Sequence, residues 1–95
     1  MVVDDEIGVH ELVRGALLDA DMVVVGVRDS RAALDLLEEL SCDLMLVETT
    51  LPVSGERVLV PVKPSDRYQK VCSDSYLKKP FTDRDVVEFI DRHID

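Results

Sequence analysis

The sequence predicts an α/β fold built on a parallel sheet, and three observations predict it. Short apolar runs stand at Met1-Val2-Val3, at 22–27 and at Leu44-Met45-Leu46-Val47. Between them lie stretches with helical periodicity, joined by short connections. The third run is continuous, with no polar alternation, which is the pattern of a strand covered on both faces. Strand–helix–strand alternation with short joints implies parallel pairing and right-handed crossovers.

Taken in order, Met1-Val2-Val3 reads as the end of a short strand, stopped by the charges of Asp4-Asp5-Glu6. Val9, Leu12, Val13, Ala16, Leu17 and Ala20 fall at i, i+3, i+4, i+7, i+8 and i+11, one stripe of a helix over 8–20. Glu11, Arg14 and Asp19 take the other side. Residues 22–27 are β-branched and apolar apart from one glycine, a strand pattern. Asp29 or Ser30 supplies a side-chain oxygen to cap the next helix. That helix, over 31–40, is expected to bury Ala33, Leu34 and Leu37, with Leu36 and Leu40 beside them. Ser41-Cys42-Asp43 turns the chain into the third strand, which ends in Glu48-Thr49-Thr50-Leu51-Pro52.

The alternation then falters. Arg57-Val58-Leu59-Val60-Pro61-Val62 is strand-like, and Pro61, which cannot donate to a ladder, suits an end or an edge. Only about nine residues precede it, whereas a helical crossover takes at least ~10–12. Residues 67–72 have room for one or two helical turns. The third and fourth helices are therefore expected to be shortened or missing. Sheet surface among Val58, Leu59, Val60 and Val62 should then be exposed, and a homodimer through the 57–72 region would cover it. A last strand over 75–79 ends at Pro80. Thr82 caps the closing helix, with Asp83 and Asp85 in its first turn, where the helix dipole favours acids. Val86, Val87, Phe89, Ile90 and Ile94 form its apolar face.

Composition narrows the function. The 95 residues fit one domain, and an apolar fraction of 46% with only 4% aromatics means an aliphatic core. A formal charge of −9 repels phosphate backbones and anionic membranes, which argues against direct nucleic-acid or membrane binding. No apolar run approaches the ~20 residues that span a bilayer, and the acidic turn at residue 4 is not that of a signal peptide. Cys42 and Cys72 lack metal-ligand spacing and read as free thiols of a cytoplasmic domain, Cys72 as a buried filler. His10 and His93 read as solvated helix-surface residues, and Lys78 as a surface charge.

Three motifs follow one another: Val2-Val3-Asp4-Asp5-Glu6, the run from Leu44 through Glu48-Thr49-Thr50-Leu51-Pro52 to Gly55, and Tyr76-Leu77-Lys78-Lys79-Pro80-Phe81. With the helix–strand units between them, the chain resembles the receiver domain of two-component response regulators, a flavodoxin-like fold. The resemblance covers 1–56 and about 73–95, with 57–72 atypical. It implies that Asp4 and Asp5 help to hold Mg²⁺, and that Glu48 occupies the phospho-acceptor position and also faces the metal. It further implies that Thr50 offers the metal a backbone carbonyl and that Lys79 neutralises the phosphoryl group. Lys79-Pro80 would be a cis peptide and Tyr76 the aromatic switch. Phosphoryl transfer to a carboxylate needs this division of labour: an oxygen nucleophile, a divalent cation and a fixed positive charge.

The sequence departs from the family at the centre. Glu48 stands where an Asp is usual, so its carboxylate projects about 1.5 Å further. In-line transfer tolerates such displacement badly. No hydroxyl residue matches the one the family carries after its fourth strand, although Ser65 lies near. The reading is an atypical receiver: a phosphorylation-independent protein–protein interaction and regulatory module, not an enzyme, whose partner is a signalling or output protein. The alternative is a phosphorylatable receiver in a Mg²⁺-dependent phosphorelay. A small metal-dependent phosphatase is a further alternative, disfavoured by the lack of a second set of acids. If no metal is held, the Lys79 ammonium can serve Asp4 and Asp5 as counter-ion.

Overall fold

The computed structural model describes residues 1–62 and 75–93. Five strands and three helices follow in the order β1 (Val2–Val3), α1 (Ile7–Ala16), β2 (Gly26–Val27), α2 (Ser30–Leu37), β3 (Met45–Thr50), β4 (Arg57–Val62), β5 (Leu77–Lys78) and α3 (Asp83–His93). The strands form one sheet in the order β2-β1-β3-β4-β5. β1 pairs in parallel with both β2 and β3. β4 runs antiparallel to β3 and to β5. The architecture is therefore α/β as expected, but the sheet is mixed rather than parallel throughout. The physical reason is the connection. The six residues from Leu51 to Glu56 cannot carry a crossover, so they close a hairpin instead. Leu51 N–H donates to the Glu56 carbonyl at 2.9 Å, Gly55 N–H donates to the Leu51 carbonyl at 2.9 Å, and Gly55 supplies the positive φ of 72°. No helix stands between β3 and β4; residues 67–72, where a short fourth helix was expected, lie outside the described residues.

Pro61 is tolerated because of ladder parity. The Leu46 N–H is spent on the Met1 carbonyl at 2.8 Å, so Leu46 and its partner Pro61 form a non-hydrogen-bonded pair. The N–H that proline lacks is not needed there.

The two faces of the sheet carry separate cores. Val2, Leu44, Leu46, Leu59 and Leu77 pack with Val9, Val13 and Leu17 of the α1 segment and Val86, Phe89 and Ile90 of α3. On the other face Val3, Val27 and Met45 pack with Ala33 of α2, and Leu36, Leu37, Val47 and Val62 join them. Residues 33, 36 and 37 form the apolar stripe of α2. Leu34 lies roughly 100° round from Ala33 and is 64% exposed, so its expected burial is not met. The expected exposure of β4 is not met either. Val58 and Leu59 are 0% exposed, and Val60 and Val62 are half-buried, because β4 lies between β3 and β5 and Leu59 packs into the α1–α3 core. Val58 and Leu59 thus offer no surface to the homodimer expected through 57–72, whereas Val60 and Val62 are partly exposed; residues 63–74 of that region, with Ser65 and Cys72, lie outside the described residues.

Helix ends follow local chemistry. Asp29 Oδ1 accepts from Ala32 N–H at 2.8 Å, capping α2. At α3 the Thr82 hydroxyl accepts from Asp85 N–H at 3.2 Å while Asp85 Oδ2 accepts from Thr82 N–H at 2.9 Å, a reciprocal capping box. Asp83 and Asp85 sit in its first turn as expected. Among the described residues no helix is long and apolar enough to cross a membrane.

Candidate functional site at the carboxyl edge of the sheet

β1, β3 and β5 all point the same way, and their carboxyl ends deliver the charges. Val3 is registered with Val47, so Asp4 and Glu48, the next residues of each strand, stand level with one another. Lys79 follows directly on β5. Its ammonium lies 2.8 Å from Asp4 Oδ2, 2.6 Å from Glu48 Oε2 and 3.2 Å from Glu6 Oε1. The three segments that the sequence singled out therefore converge. The Lys79-Pro80 peptide is cis.

Asp4 is the anchor. It is 2% exposed, and its Oδ1 accepts from Glu6 N–H at 2.9 Å, turning the chain into α1. Its Oδ2 is buried with no hydrogen bond of good geometry; the Lys79 ammonium at 2.8 Å is its charge partner. Burial pushes the Asp4 carboxyl upward, but bonding to Lys79 and to Glu6 N–H outweighs it and holds the group below its ordinary value. Burial raises Glu48, and hydrogen bonding with Asp4 and the negative charge of Asp4 keep it raised despite the bond to Lys79. Burial alone would lower Lys79, but its bonds to Asp4, Glu48 and Glu6 drive it above its ordinary value. The ammonium stays charged and is shared among Asp4, Glu48 and Glu6.

Two participants went unnoticed in the sequence. Glu6 was read only as part of an acidic stop. Arg57 has only the reading of the first residue of a strand-like run. Reversal of β4 pairs Arg57 with Thr50, and alternation puts it on the α1–α3 face with Glu48. Its Nη1 stands 3.7 Å from Glu48 Oε1 and 3.8 Å from Glu6 Oε1. The signal that could have found it is the short Pro52-to-Gly55 link, which demands a hairpin. Beside the cluster a cleft of about 550 Å³ opens between Val9, Leu12, Phe81, Glu6, Arg57 and Lys79.

The remaining candidates divide. Asp5 is exposed and pairs with no cation among the described residues, but its carboxylate is within reach of the cluster. The parity of the ladder turns the Thr50 carbonyl away from β4, toward the β1 side, as the Leu51–Glu56 bond next to it requires. Tyr76 lies before β5 and is 41% exposed. His10 is not the solvated residue that was expected. Its Nε2 bonds the Asp4 carbonyl at 2.8 Å, and since a carbonyl only accepts, Nε2 carries the proton. Its ring lies so close over Gly26 that a Cβ there would sit 2.5 Å from Nδ1. His93 is likewise engaged, with Ser75 Oγ at 2.6 Å and the Phe89 ring at 4.6 Å. Lys78 is a surface charge as expected, paired with Glu56 at 3.1 Å.

Asp4, Asp5, Glu6 and Glu48 each offer one carboxylate oxygen within 4.8 Å of the others. An all-oxygen set of this kind suits a hard divalent cation, and the buried Asp4 oxygen that lacks a hydrogen bond is a ready ligand. The donor set therefore fits Mg²⁺, although the Lys79 ammonium already stands among three of the four acids.

Comparison of the chain with family models, with curated proteins and with solved structures returns no match.

Proposed function

We propose that the domain is a phosphorylation-independent regulatory module of the receiver type, one that works by binding a protein partner rather than by turnover. The observation that carries this reading is the position of the Lys79 ammonium, within 2.6–3.2 Å of Glu48, Asp4 and Glu6. The lysine that would neutralise an incoming phosphoryl group is already neutralised by the chain's own carboxylates. Glu48, a methylene longer than Asp, reaches the ammonium directly. Its charge stands where an acyl phosphate's would, so the site holds one charge state without chemistry.

The fold supports the same reading. The strand order β2-β1-β3-β4-β5 is that of the flavodoxin-like doubly wound sheets, in which ligand chemistry gathers at the carboxyl edge. α1 and α3 share one face and α2 lies on the other. The reversed β4 is the departure from that plan. We read this domain as a flavodoxin-like sheet in which a hairpin has replaced one crossover.

When bound, Mg²⁺ would supply charge for phosphoryl oxygens; Asp4, Asp5 and Glu48, with the Thr50 carbonyl, are the groups that would hold it. The acid set and the direction of that carbonyl favour, as second reading, a receiver that still accepts phosphate. Incubation with acetyl phosphate and Mg²⁺, followed by intact mass, separates the two. The expected result is an unchanged mass. A gain of one phosphoryl group overturns the proposal in favour of the phosphorelay reading.

A further inference from the structure

Arg57 is the residue whose place depends most on the reversal of β4. In a β4 parallel to β3 it would stand at the opposite edge of the sheet, roughly 17 Å away along a strand of this length at ~3.3 Å per residue. In the hairpin it stands diagonal to Glu48, on the same face. Between them, Lys79 and Arg57 address both oxygens of Glu48: Oε2 meets the ammonium at 2.6 Å and Oε1 the guanidinium at 3.7 Å. Glu6 Oε1 is shared by the same two cations, at 3.2 and 3.8 Å. Four carboxylates gathered within 4.8 Å thus face two cations that the chain itself supplies.

We infer that Arg57 is a built-in counter-cation that suppresses divalent-cation binding at this cluster. The inference rests on the reading of the site given above and names how that site is regulated. A divalent ion needs unengaged carboxylate oxygens and an uncompensated negative charge. Arg57 reduces both, since it faces Glu48 Oε1 and Glu6 Oε1 and cancels one of the charges Lys79 leaves over. The side chain is 56% exposed, and its two contacts are longer than hydrogen bonds. Exposed pairs of this geometry contribute little to folding, so removing the charge leaves the fold in place. What it changes is the field at the acids, a lever the lysine cannot offer because buried Asp4 depends on it.

The test is a Mn²⁺ titration followed by the electron paramagnetic resonance signal of the free ion. Arg57→Gln is expected to bind Mn²⁺ ~10-fold more tightly than the wild type, equivalent to about 1.4 kcal/mol. Arg57→Lys, which keeps the charge, and Arg92→Gln, which removes a charge from the last turn of α3, are expected to match the wild type. Adding Glu48→Gln to Arg57→Gln should abolish the gain, while metal-free melting temperatures stay close together. Equal affinity of wild type and Arg57→Gln overturns the inference. So does an equal gain in Arg57→Lys or Arg92→Gln, which would make the effect one of shape or of net charge. Phosphorylation of the wild type by acetyl phosphate would end the proposed function but leave this comparison to be decided by the titration.

Discussion

In residues 1–50 each new strand is reached through a helix, and β1, β2 and β3 run in parallel. In residues 57–93 the first strand is reached through a tight hairpin, and β4 runs against both of its neighbours. The two regions also divide the charges of the site. All four carboxylates, Asp4, Asp5, Glu6 and Glu48, come from the first, and both cations, Arg57 and Lys79, from the second. The difference teaches that the cluster is a seam. Each region alone leaves like charges crowded or cations unmatched, and closing the sheet neutralises them.

The comparison breaks most completely at Lys79. Its side chain is 15% exposed and meets an Asp4 carboxylate with no exposure at all. Lys79→Met strands that buried charge, and an expected loss of about 3–5 kcal/mol follows, measured by urea denaturation at neutral pH. The pH profile sharpens the point. Lys79 is raised above its ordinary 10.5, so its contribution is whole below that pH and fades as pH climbs through the raised value. Asp4 is lowered below 3.8, so its contribution is whole above that pH and fades as pH falls through the lowered value. Glu48 has the opposite sign: raised above 4.5, its ionisation works against the fold. Lys79→Met should therefore flatten the alkaline limb and lose least stability in acid, where the carboxylates are protonated. An unchanged alkaline limb would show that the seam is not held by this ammonium.

A smaller effect is expected inside the parallel region. Gly26→Ala forces the His10 ring off its seat and breaks its bond to the Asp4 carbonyl. A cost of about 1–2 kcal/mol is expected, in the range of a lost hydrogen bond with local overpacking. In a His10→Ala background the same substitution should cost almost nothing, a coupling that a double-mutant cycle reads directly. Equal costs in both backgrounds would mean that the glycine is needed for the strand and not for the ring.

The smallest effect belongs to the second region. Thr82→Ala removes one half of the capping box of α3 and should lower stability by about 1 kcal/mol, visible in the urea midpoint. Glu48→Gln, used as a control, should leave that cost unchanged, because cap and seam share no partner.

Much of the molecule was legible from residue order. The stripes of the helices, the caps at Asp29 and Thr82, and the acids and lysine at strand ends are local signals, readable within a few residues of where they act. The meeting of Asp4, Glu48 and Lys79 was implied by the resemblance of the three motifs rather than by those local signals, and the sheet brings it about. The direction of β4 was not legible in this way. An apolar, β-branched run has the same pattern read either way, and only the length of the link before it favours one sense. From that single choice came the arrival of Arg57 at the acids; the burial of Val58 and Leu59, which stand among the residues expected at the surface, follows from the place of β4 between β3 and β5. His10 was misjudged for a related reason: a lone histidine on a helix carries no mark of the glycine it will cover on another strand.

The sequence by itself determined the order of the helices and strands from β1 to β3, and which ends carry charge, because those depend on periodicity and on side chains close along the chain. It did not determine their lengths, since β2 keeps only Gly26–Val27 of 22–27 and α1 ends at Ala16. The tertiary structure alone decided which way the fourth strand runs, and therefore which cation faces which acid. That choice is made by the whole sheet at once, when a link too short to cross over leaves the chain no way to continue except back along its neighbour.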